Sequence, residues 1–276
     1  MTLLCWNSRG LGNPRGVRVL VALVKEEDPK VLFLQETRLH EKAMERLKYG
    51  LGFDNCLAVS SVRRSGIAIY WKKEINVVIK NFLRSHIHAS IIDTNAEGEP
   101  WFITGVYGQP EAHRRHKTWD LIRSLKMPRD KRWLLMGDFN KVFSSHEKSG
   151  GKDNTDKHMQ DFRAVVDECE LLDLGFQDIS FTWCNKREAD QCISERFDRC
   201  LPNLKWKALV PMANVIHGNV AYSDHVLIKL QLQNDSFQRR GKGYLVLRQC
   251  GWWIKVVKWL LRMHGWVVLE KEHWRG

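Results

Sequence analysis

The sequence lacks closely paired cysteines. Its seven cysteines are odd in number, none belongs to a Cys-x-x-Cys motif, and no secretory signal opens the chain. These absences argue against a disulfide framework and predict a reduced, intracellular location. Cys184, Cys192 and Cys200 recur at intervals of eight residues, but zinc sites use closer spacings. We interpret these three as small core or loop residues.

Acidic residues are scarce relative to basic ones. The 276 residues contain 44 lysines and arginines against 32 aspartates and glutamates, which gives a formal net charge of +12. Such an excess indicates a polyanionic partner, either a nucleic acid or an anionic membrane surface. No internal repeat and no low-complexity linker divides the chain. Its hydrophobic residues, 43% of the total, are therefore expected to form one main domain.

The composition changes near the C-terminal end. From Phe237 onward, nine basic residues face two glutamates, and five of the twelve tryptophans lie here. Lys255, Lys258 and Arg262 follow a helical spacing among apolar residues, which is typical of a helix with one basic face. These charges interrupt the segment too often for a membrane span. The sequence therefore predicts two regions: a main domain over 1–234, and a basic, tryptophan-rich tail over 235–276 that is an amphipathic helix or a truncated junction.

Short apolar runs rich in β-branched and aromatic residues predict buried strands. The five clearest are Thr2–Trp6, Val31–Gln35, Ile67–Trp71, Phe102–Tyr107 and Trp133–Met136. Three further strands are predicted over 180–183, 196–201 and 226–232. Apolar residues at helical spacing predict helices that include Val17–Val24 and Met159–Cys169. Many strands with few helices indicate two packed sheets with helices outside them.

Polar residues lie at the ends of several of these runs, and one acidic residue, Asp198, lies inside the strand predicted over 196–201, where it needs a partner. The eight are Asn7, Glu36, Tyr107, Asp138, Asn140, Asp198, Asp224 and His225. A local turn explains any one of them, because Asp and Asn side chains satisfy backbone donors in Asx turns. Strand ends of one sandwich can also converge on a single rim. There they would form a carboxylate-rich pocket suited to Mg²⁺ or Mn²⁺, with the histidine left for proton transfer or phosphate contact.

Eight motifs follow one another in order between residues 3 and 232: WNSRGLGNPR, LFLQET, GVYGQP, MGDFN, EKSGG, FTWCN, RFDR and SDH. With them the chain resembles the endonuclease/exonuclease/phosphatase superfamily, and it looks most like the endonuclease domain of plant LINE-type (non-LTR) retrotransposons. The resemblance implies an α+β, deoxyribonuclease I-like fold over 1–234. This fold is a four-layer α/β/β/α sandwich of two packed, mixed β-sheets flanked by helices. The resemblance also implies a Mg²⁺-dependent DNA endonuclease that nicks one strand by in-line attack of water.

On the metal side of the site, the resemblance implies that Glu36 is a Mg²⁺ ligand and that Asn7 supports the metal or the phosphate. Mn²⁺ is an alternative metal. Asp224 is expected near the metal and Tyr107 at the attacked phosphate. The repair-enzyme branch usually has an acid two positions after the first Asn, and this chain has Arg9 there. Arg9 cannot bind a cation, so it either holds a phosphate or is a solvated surface residue.

On the water side, the resemblance implies that Asp138 and Asn140 position and activate the attacking water. His225 is expected to donate to a phosphate oxygen in the transition state. Asp198 is expected to fix the tautomer and the charge of that histidine.

Double-stranded DNA is the expected partner. We expect Arg9, Thr182, Trp183 and Asn185 to contact it, together with the glycine-rich loop 146–157, and mainly at phosphates. Trp183 could instead be a core residue, because a tryptophan is more often buried than used as a stacking platform. The loop 146–157 could be solvated without contacting DNA, as charged glycine-rich loops often are.

Two other functions stay open. One is a phosphatase of the same fold acting on phosphoinositides or another small phosphate ester, although the match to the phosphatase motifs is partial. The other is a catalytically inactive nucleic-acid-binding relic of a mobile element. A reverse transcriptase is expected downstream in such retrotransposons, and these 276 residues contain none. A DNA substrate implies a nuclear location, and the sequence predicts no oligomeric state.

Overall fold

The computed structural model describes residues 1–60, 66–93, 99–152, 156–218 and 222–232. The predicted tail over 235–276 lies outside the described residues, as does part of the loop 146–157. The described part contains two main β-sheets, one small sheet and five α-helices.

A seven-stranded mixed sheet carries the first predicted motifs. Its strands, in spatial order, are β10 (Gln177–Asp178), β14 (Asn214–Gly218), β15 (Leu227–Gln231), β1 (Thr2–Asn7), β2 (Val31–Gln35), β4 (Ile67–Trp71) and β3 (Asn55–Val59). Strands β1 and β2 run parallel, and β15 pairs with β1 in the antiparallel direction. The carboxyl ends of β1 and β2 therefore meet at one edge.

A five-stranded mixed sheet carries the MGDFN and RFDR motifs. Its strands, in spatial order, are β13 (Asp198–Pro202), β8 (Trp133–Asp138), β7 (Trp101–Tyr107), β6 (His86–Asp93) and β5 (Ile75–Leu83). A small third sheet consists of β11 (Trp183–Cys184), β12 (Ser194–Glu195) and β9 (Lys148–Ser149). It connects the glycine-rich loop to the segment before β13.

The five helices are α1 (Pro14–Glu27), α2 (Glu41–Leu51), α3 (His116–Ser124), α4 (Asp156–Glu168) and α5 (Leu204–Leu209). Asn13 caps α1, because its side chain accepts a hydrogen bond from the N–H of Arg15, and Pro14 suits the first helical position. No helix in the described part of the chain is long and apolar enough to span a membrane.

Side chains alternate between two buried faces along the central strands, and this alternation builds the four layers. On β1, Leu3 and Cys5 enter the core between the two sheets, whereas Leu4 and Trp6 pack with residues of α1 and α2. On the other sheet, α3 and α4 cover the outer face through residues such as Trp119 and Phe162. Because these strands are buried on both faces, they appear in the sequence as continuous apolar runs.

The predicted four-layer α/β/β/α fold is confirmed. The five clearest strand predictions coincide with β1, β2, β4, β7 and β8 to within two residues. The strand predicted over 180–183 is instead the two-residue strand Trp183–Cys184. Helices α2, α3 and α5 are present as well, and the sequence analysis did not predict them.

Candidate active site

The packing of the two sheets brings five predicted residues to one rim. Tyr107, Asp138 and Asp198 are aligned in register across β7, β8 and β13, at the same edge of the five-stranded sheet. Asn7 ends β1 in the facing sheet. His225 precedes β15 and forms an isolated β-bridge with Trp183. The convergence predicted from the strand ends is therefore observed.

Four of these side chains form a buried, hydrogen-bonded cluster. Asn7 Nδ2 donates to Asp138 Oδ2 at 2.9 Å, and it also lies 3.4 Å from His225 Nε2. His225 Nδ1 lies 2.8 Å from Asp198 Oδ2. His225 Nε2 is 3.8 Å from Asp138 Oδ2, so the imidazole lies between two carboxylates. We refer to Asn7, Asp138, Asp198 and His225 as the catalytic cluster, because catalysis is the role that we propose for them.

Burial and mutual charge shift the protonation equilibria of this cluster. Burial raises the pKa of Asp138, and the Asp198 carboxylate raises it further, against the opposing effects of His225 and of hydrogen bonds from Asn140 and Asn7. Burial alone would lower the pKa of His225, but Asp198 and Asp138 outweigh burial and raise it. The cluster thus combines a carboxylate that readily takes up a proton with an imidazole that readily holds one.

The MGDFN segment forms an Asx turn and also contributes to the cluster. The N–H of Asn140 donates to Asp138 Oδ1 at 2.8 Å, and Asn140 Nδ2 donates to Asp138 Oδ2 at 3.2 Å. Asn140 has a positive φ of 52°, which Asn tolerates better than most residues. Gly137 is required because a Cβ there would meet the carbonyl oxygen of Val106 at 2.0 Å. The turn therefore fixes the orientation of the carboxylate that the cluster uses.

Gln35 supports the cluster and was missed by the sequence prediction. Its side chain is fully buried, accepts from the N–H of Asp138 at 3.2 Å and donates to the carbonyl of Val106 at 2.6 Å. It thereby joins the end of β2 to the facing sheet. The sequence signal for this role was a polar glutamine at the end of the otherwise apolar run VLFLQ. Ser223, which belongs to the SDH motif but was given no role from the sequence, donates to the carbonyl of Asn7 at 2.7 Å and accepts from the N–H of His225 at 3.1 Å.

Glu36 lies at the rim beside Tyr107. It follows β2 with a positive φ of 46° and is half-buried, and the hydroxyl of Tyr107 donates to its Oε1. Burial raises the pKa of Tyr107, and the Glu36 carboxylate raises it further, so this phenol keeps its proton. Among the described residues, Glu36 Oε2 has no hydrogen-bond partner. This oxygen is therefore open to a cation.

The residues fit a hard divalent cation at Glu36. Mg²⁺ takes oxygen ligands, and the free Oε2 of Glu36 offers one. A second group of potential ligand atoms, from Asp138, Asp198 and His225, lies within 4.8 Å of one another. That group is buried, and its imidazole is already bonded to a carboxylate. It is therefore better suited to moving protons than to binding Mg²⁺.

Asp224 is less available to a metal than the sequence predicted. Its Oδ2 accepts from the guanidinium of Arg9 and, at 2.9 Å, from the indole N–H of Trp183. A cation bound at this carboxylate would be repelled by Arg9. Arg9 itself is 47% exposed at its side chain, so it can still be reached from solvent.

The predicted DNA-contact residues occupy different environments. Thr182 is fully buried and accepts hydrogen bonds from the N–H groups of Phe197 and Asp198, both at 2.9 Å, so its side chain has no surface for DNA. Trp183 is half-buried and packs on Phe197, with 5.3 Å between the ring centroids. Asn185 donates to the carbonyl of Gln191 at 2.7 Å and so shapes its own loop.

Solved structures similar to this one include two endonucleases and a TDP2 protein. The endonuclease domain of TRAS1, a telomere-specific non-LTR retrotransposon, aligns with a TM-score of 0.63 and 13% identity, over 85% of this chain and 99% of that one. An AP endonuclease from Archaeoglobus fulgidus gives 0.64 and 14%, over 84% and 98%. Truncated TDP2 from Caenorhabditis elegans gives 0.55 and 15%, over 83% and 96%. At these identities the likeness establishes the fold.

The family model is more specific than these structural likenesses. The model described as the endonuclease/exonuclease/phosphatase family matches residues 4–225, a range that runs from β1 to His225 and contains the whole catalytic cluster. Members of this family are hydrolases that act on phosphodiester bonds. The chain belongs to the endonuclease/exonuclease/phosphatase family.

Proposed function

We propose that this protein is a Mg²⁺-dependent DNA endonuclease that nicks one strand. The observation that carries the proposal is the catalytic cluster: a raised-pKa carboxylate, Asp138, and a raised-pKa imidazole, His225, lie 3.8 Å apart at one rim. Hydrolysis of a phosphodiester needs a group that takes a proton from water and a group that stabilises charge on the phosphate. This pair supplies both.

Each residue of the cluster then has a defined task. Asp138, held by Asn7 and by the Asn140 amide, accepts a proton from the attacking water. His225 donates from Nε2 to a phosphate oxygen as negative charge develops there. Asp198 stabilises the imidazolium through Nδ1 and keeps Nε2 turned toward the pocket. The neutral hydroxyl of Tyr107 is suited to contact the same phosphate.

Glu36 would hold the Mg²⁺ ion, with the carboxamide oxygen of Asn7 as a second donor. A bound Mg²⁺ supplies Lewis-acid stabilisation of negative charge on the phosphate. Asp224 acts in this proposal through Arg9 and Trp183, which it orders at the edge of the site.

DNA as the substrate is supported by charge and by similarity. The net charge of +12 favours a polyanion, and two of the similar structures are named as endonucleases of a retrotransposon and of AP sites. Arg9 and Trp183 lie beside Asp224 next to the cluster, where they could contact a DNA strand. A DNA substrate would also place the protein in the nucleus.

The proposal is tested by incubating supercoiled plasmid with the purified protein in Mg²⁺ and in EDTA. We expect open circles in Mg²⁺ only, because one site with one cluster cuts one strand at a time. A folded protein that leaves the plasmid intact while releasing phosphate from a phosphoinositide would be a phosphatase instead. One that binds DNA without any turnover would be an inactive relic.

Glu36→Ala separates metal-dependent turnover from DNA binding. Removing this carboxylate should abolish nicking at low Mg²⁺, while the Kd for DNA in EDTA stays unchanged, because the basic surface is intact. The exposed Glu26→Ala on α1 is the matched control and should nick as the parent does. Parental nicking by Glu36→Ala at low Mg²⁺ would remove Glu36 from the metal site.

A further inference from the structure

Two cysteines face each other across the base of a loop next to the catalytic cluster. Cys184 ends β11 and Cys192 lies two residues before β12, and their Sγ atoms are 3.7 Å apart. Residues 185–191 between them form the turn of this hairpin, which we call the hairpin loop. Both cysteines are half-buried, so a small reagent can reach them.

The backbone on both sides holds the two sulfurs together. The N–H of Asn185 donates to the carbonyl of Ile193 at 3.0 Å, and the N–H of Ile193 donates to Asn185 Oδ1 at 3.0 Å. The carbonyl oxygen of Cys192 packs closely on Gly150: a Cβ added to Gly150 would lie 2.0 Å from this oxygen. The N–H of Cys184 donates to the carbonyl of Asp224 at 3.0 Å. The pair is therefore fixed by the fold.

We propose that Cys184 and Cys192 are a thiol pair that forms a disulfide with a low-molecular-weight disulfide oxidant, and that this bond restrains the hairpin loop in DNA binding. The step balances. One thiolate attacks a sulfur of glutathione disulfide and releases one glutathione, and the second thiolate attacks the mixed disulfide and releases the other. Two protein thiols are oxidised, and one glutathione disulfide is reduced to two glutathiones.

Local contacts favour reaction at this pair. The N–H of Lys186 donates to Cys184 Sγ at 3.4 Å, which stabilises a thiolate, the reactive form of the group. A disulfide needs its sulfurs about 2.05 Å apart, and the two Sγ atoms already lie 3.7 Å from each other. Of the other described cysteines, Cys5, Cys169 and Cys200 are buried.

The hairpin loop is connected to the catalytic cluster, so a disulfide between Cys184 and Cys192 would restrain a segment next to the site. Trp183, directly before Cys184, donates its indole N–H to Asp224 and bridges to His225. The loop also presents Lys186 and Arg187 at the surface. Restraining the hairpin loop changes the conformational entropy that the loop loses when DNA binds. The disulfide does not involve the side chains of the catalytic cluster. This second part of the inference rests on the proposed function.

The disulfide is tested on the full-length protein with glutathione disulfide, followed by alkylation and peptide mass spectrometry. We expect Cys184 and Cys192 to lose alkylation together and to appear in one linked species without bound glutathione. Cys192→Ser should leave the Cys184 thiol either reduced or singly glutathionylated. Cys56→Ser, which removes the other half-buried described cysteine, should behave as the parent does. Separate glutathione adducts on Cys184 and Cys192, or two thiols that stay reduced, would overturn the pairing.

The consequence is tested by the Kd for DNA in EDTA. We expect oxidation to shift the Kd of the parent, dithiothreitol to reverse the shift, and Cys184→Ser to show none. A mapped disulfide with an unchanged Kd would overturn the link to DNA binding. Because thiol mapping and DNA binding in EDTA need no turnover, a protein that never nicks would still give both readings.

Discussion

The two oxygens of the Asp198 carboxylate lie in different environments. Oδ2 accepts from His225 Nδ1 at 2.8 Å, whereas Oδ1 is buried and, among the described residues, has no hydrogen-bond partner. Its backbone N–H donates to the hydroxyl of Thr182. The carboxylate thus acts mainly on the imidazole, and its charge is the main reason that the pKa of His225 is raised against burial.

Asp198→Asn should therefore shift the pH profile of nicking. The raised pKa of His225 keeps the imidazole protonated, and activity is lost as pH rises through that pKa. Removing the Asp198 charge lowers the pKa, so the variant should lose nicking at a lower pH than the parent. His225→Ala should reduce the rate by about 10²- to 10³-fold, the scale of one lost transition-state donor.

The measurement is the nicking rate against pH at equal folded fraction. Asp120→Asn, which removes an exposed carboxylate on α3, is the control and should leave the profile in place. Profiles of Asp198→Asn and parent that superimpose would show that Asp198 has no role in the titration.

Lys141 is an unusual residue directly after MGDFN. It is only 2% exposed, and in the described part of the chain it makes no ion pair within 4.0 Å. Burial, and next the nearby Arg115, lower its pKa from 10.5 to about 8. The folded state therefore disfavours the charged lysine.

Lys141→Met should stabilise the protein at pH 7. Between pH 8 and 10.5 the unfolded chain holds the lysine proton more tightly than the folded one, so parental stability should rise with pH over that window. The variant should lack the rise and gain about 1–3 kcal/mol at pH 7. Urea unfolding at pH 7 and pH 10 measures the gain in stability at pH 7 and the rise of stability with pH. The exposed Lys117→Met is the control. Equal pH dependence in variant and parent would contradict the prediction.

At the scale of elements, a buried ion network links the glycine-rich loop to β13. Arg199 lies 2.6 Å from Asp173, Arg196 lies 2.8 Å from Asp173 and 3.0 Å from Glu147, and Arg199 also pairs with Glu147. Both arginines are buried. The network connects Glu147, directly before β9, to Arg199, the residue that follows Asp198 on β13.

Glu147→Gln should destabilise the fold by about 3 kcal/mol, since it leaves buried arginine charge undercompensated. Burial would raise the pKa of Glu147, but hydrogen bonding and charge from Arg199 outweigh burial and lower it. The Glu147 carboxylate therefore contributes fully to the free energy of unfolding above the pKa that it has in the unfolded chain. This contribution is lost as the pH falls through its lower pKa in the folded protein. Urea unfolding at neutral and acidic pH should show a parent–variant difference that shrinks in acid.

The control for this network is the solvent-exposed ion pair Arg123–Glu168. Glu168→Gln should change stability little, because exposed pairs are screened by water. Equal effects of the two substitutions would show that burial does not strengthen the Glu147 network.

At the scale of the whole molecule, charge is divided unevenly along the chain. Residues 237–276 carry nine basic residues against two acidic ones, so this segment supplies +7 of the net +12. The described core, by contrast, contains the complete catalytic cluster. Chemistry and much of the non-specific attraction to DNA are thus expected to reside in different parts of the chain.

Truncation after Asn234 should preserve folding and nicking but weaken the salt dependence of DNA binding. The slope of log K against log salt should fall by about 0.9 for each phosphate contact that the tail makes. Circular dichroism, nicking and Kd at several salt concentrations measure the three properties. Replacing Lys255, Lys258 and Arg262 by Gln in the full chain should reproduce part of the change. A truncated protein that does not fold would contradict the predicted domain boundary.

The sequence by itself determined the buried strands β1, β2, β4, β7 and β8 and the chemical types at their ends, whereas it did not predict β3, β5 and β6. Strands buried on both faces must be continuous apolar runs, and a polar residue that ends such a run is visible without coordinates. The motifs from WNSRGLG to SDH therefore predicted Asn7, Asp138, Asp198 and His225, with four other polar residues, as parts of one site. The order of these motifs also identified the family.

Only the tertiary structure decided which side chains meet. Asn7 and Asp138 are 131 residues apart in sequence, and their contact depends on how two sheets stack, which no local pattern records. The same holds for Asp224, which is bound by Arg9 and Trp183, for Thr182, whose hydroxyl is buried beneath Asp198, and for Gln35, which joins the two sheets. Local periodicity reports whether a residue is buried, whereas the partner of a polar group is set by packing over long separations in the chain.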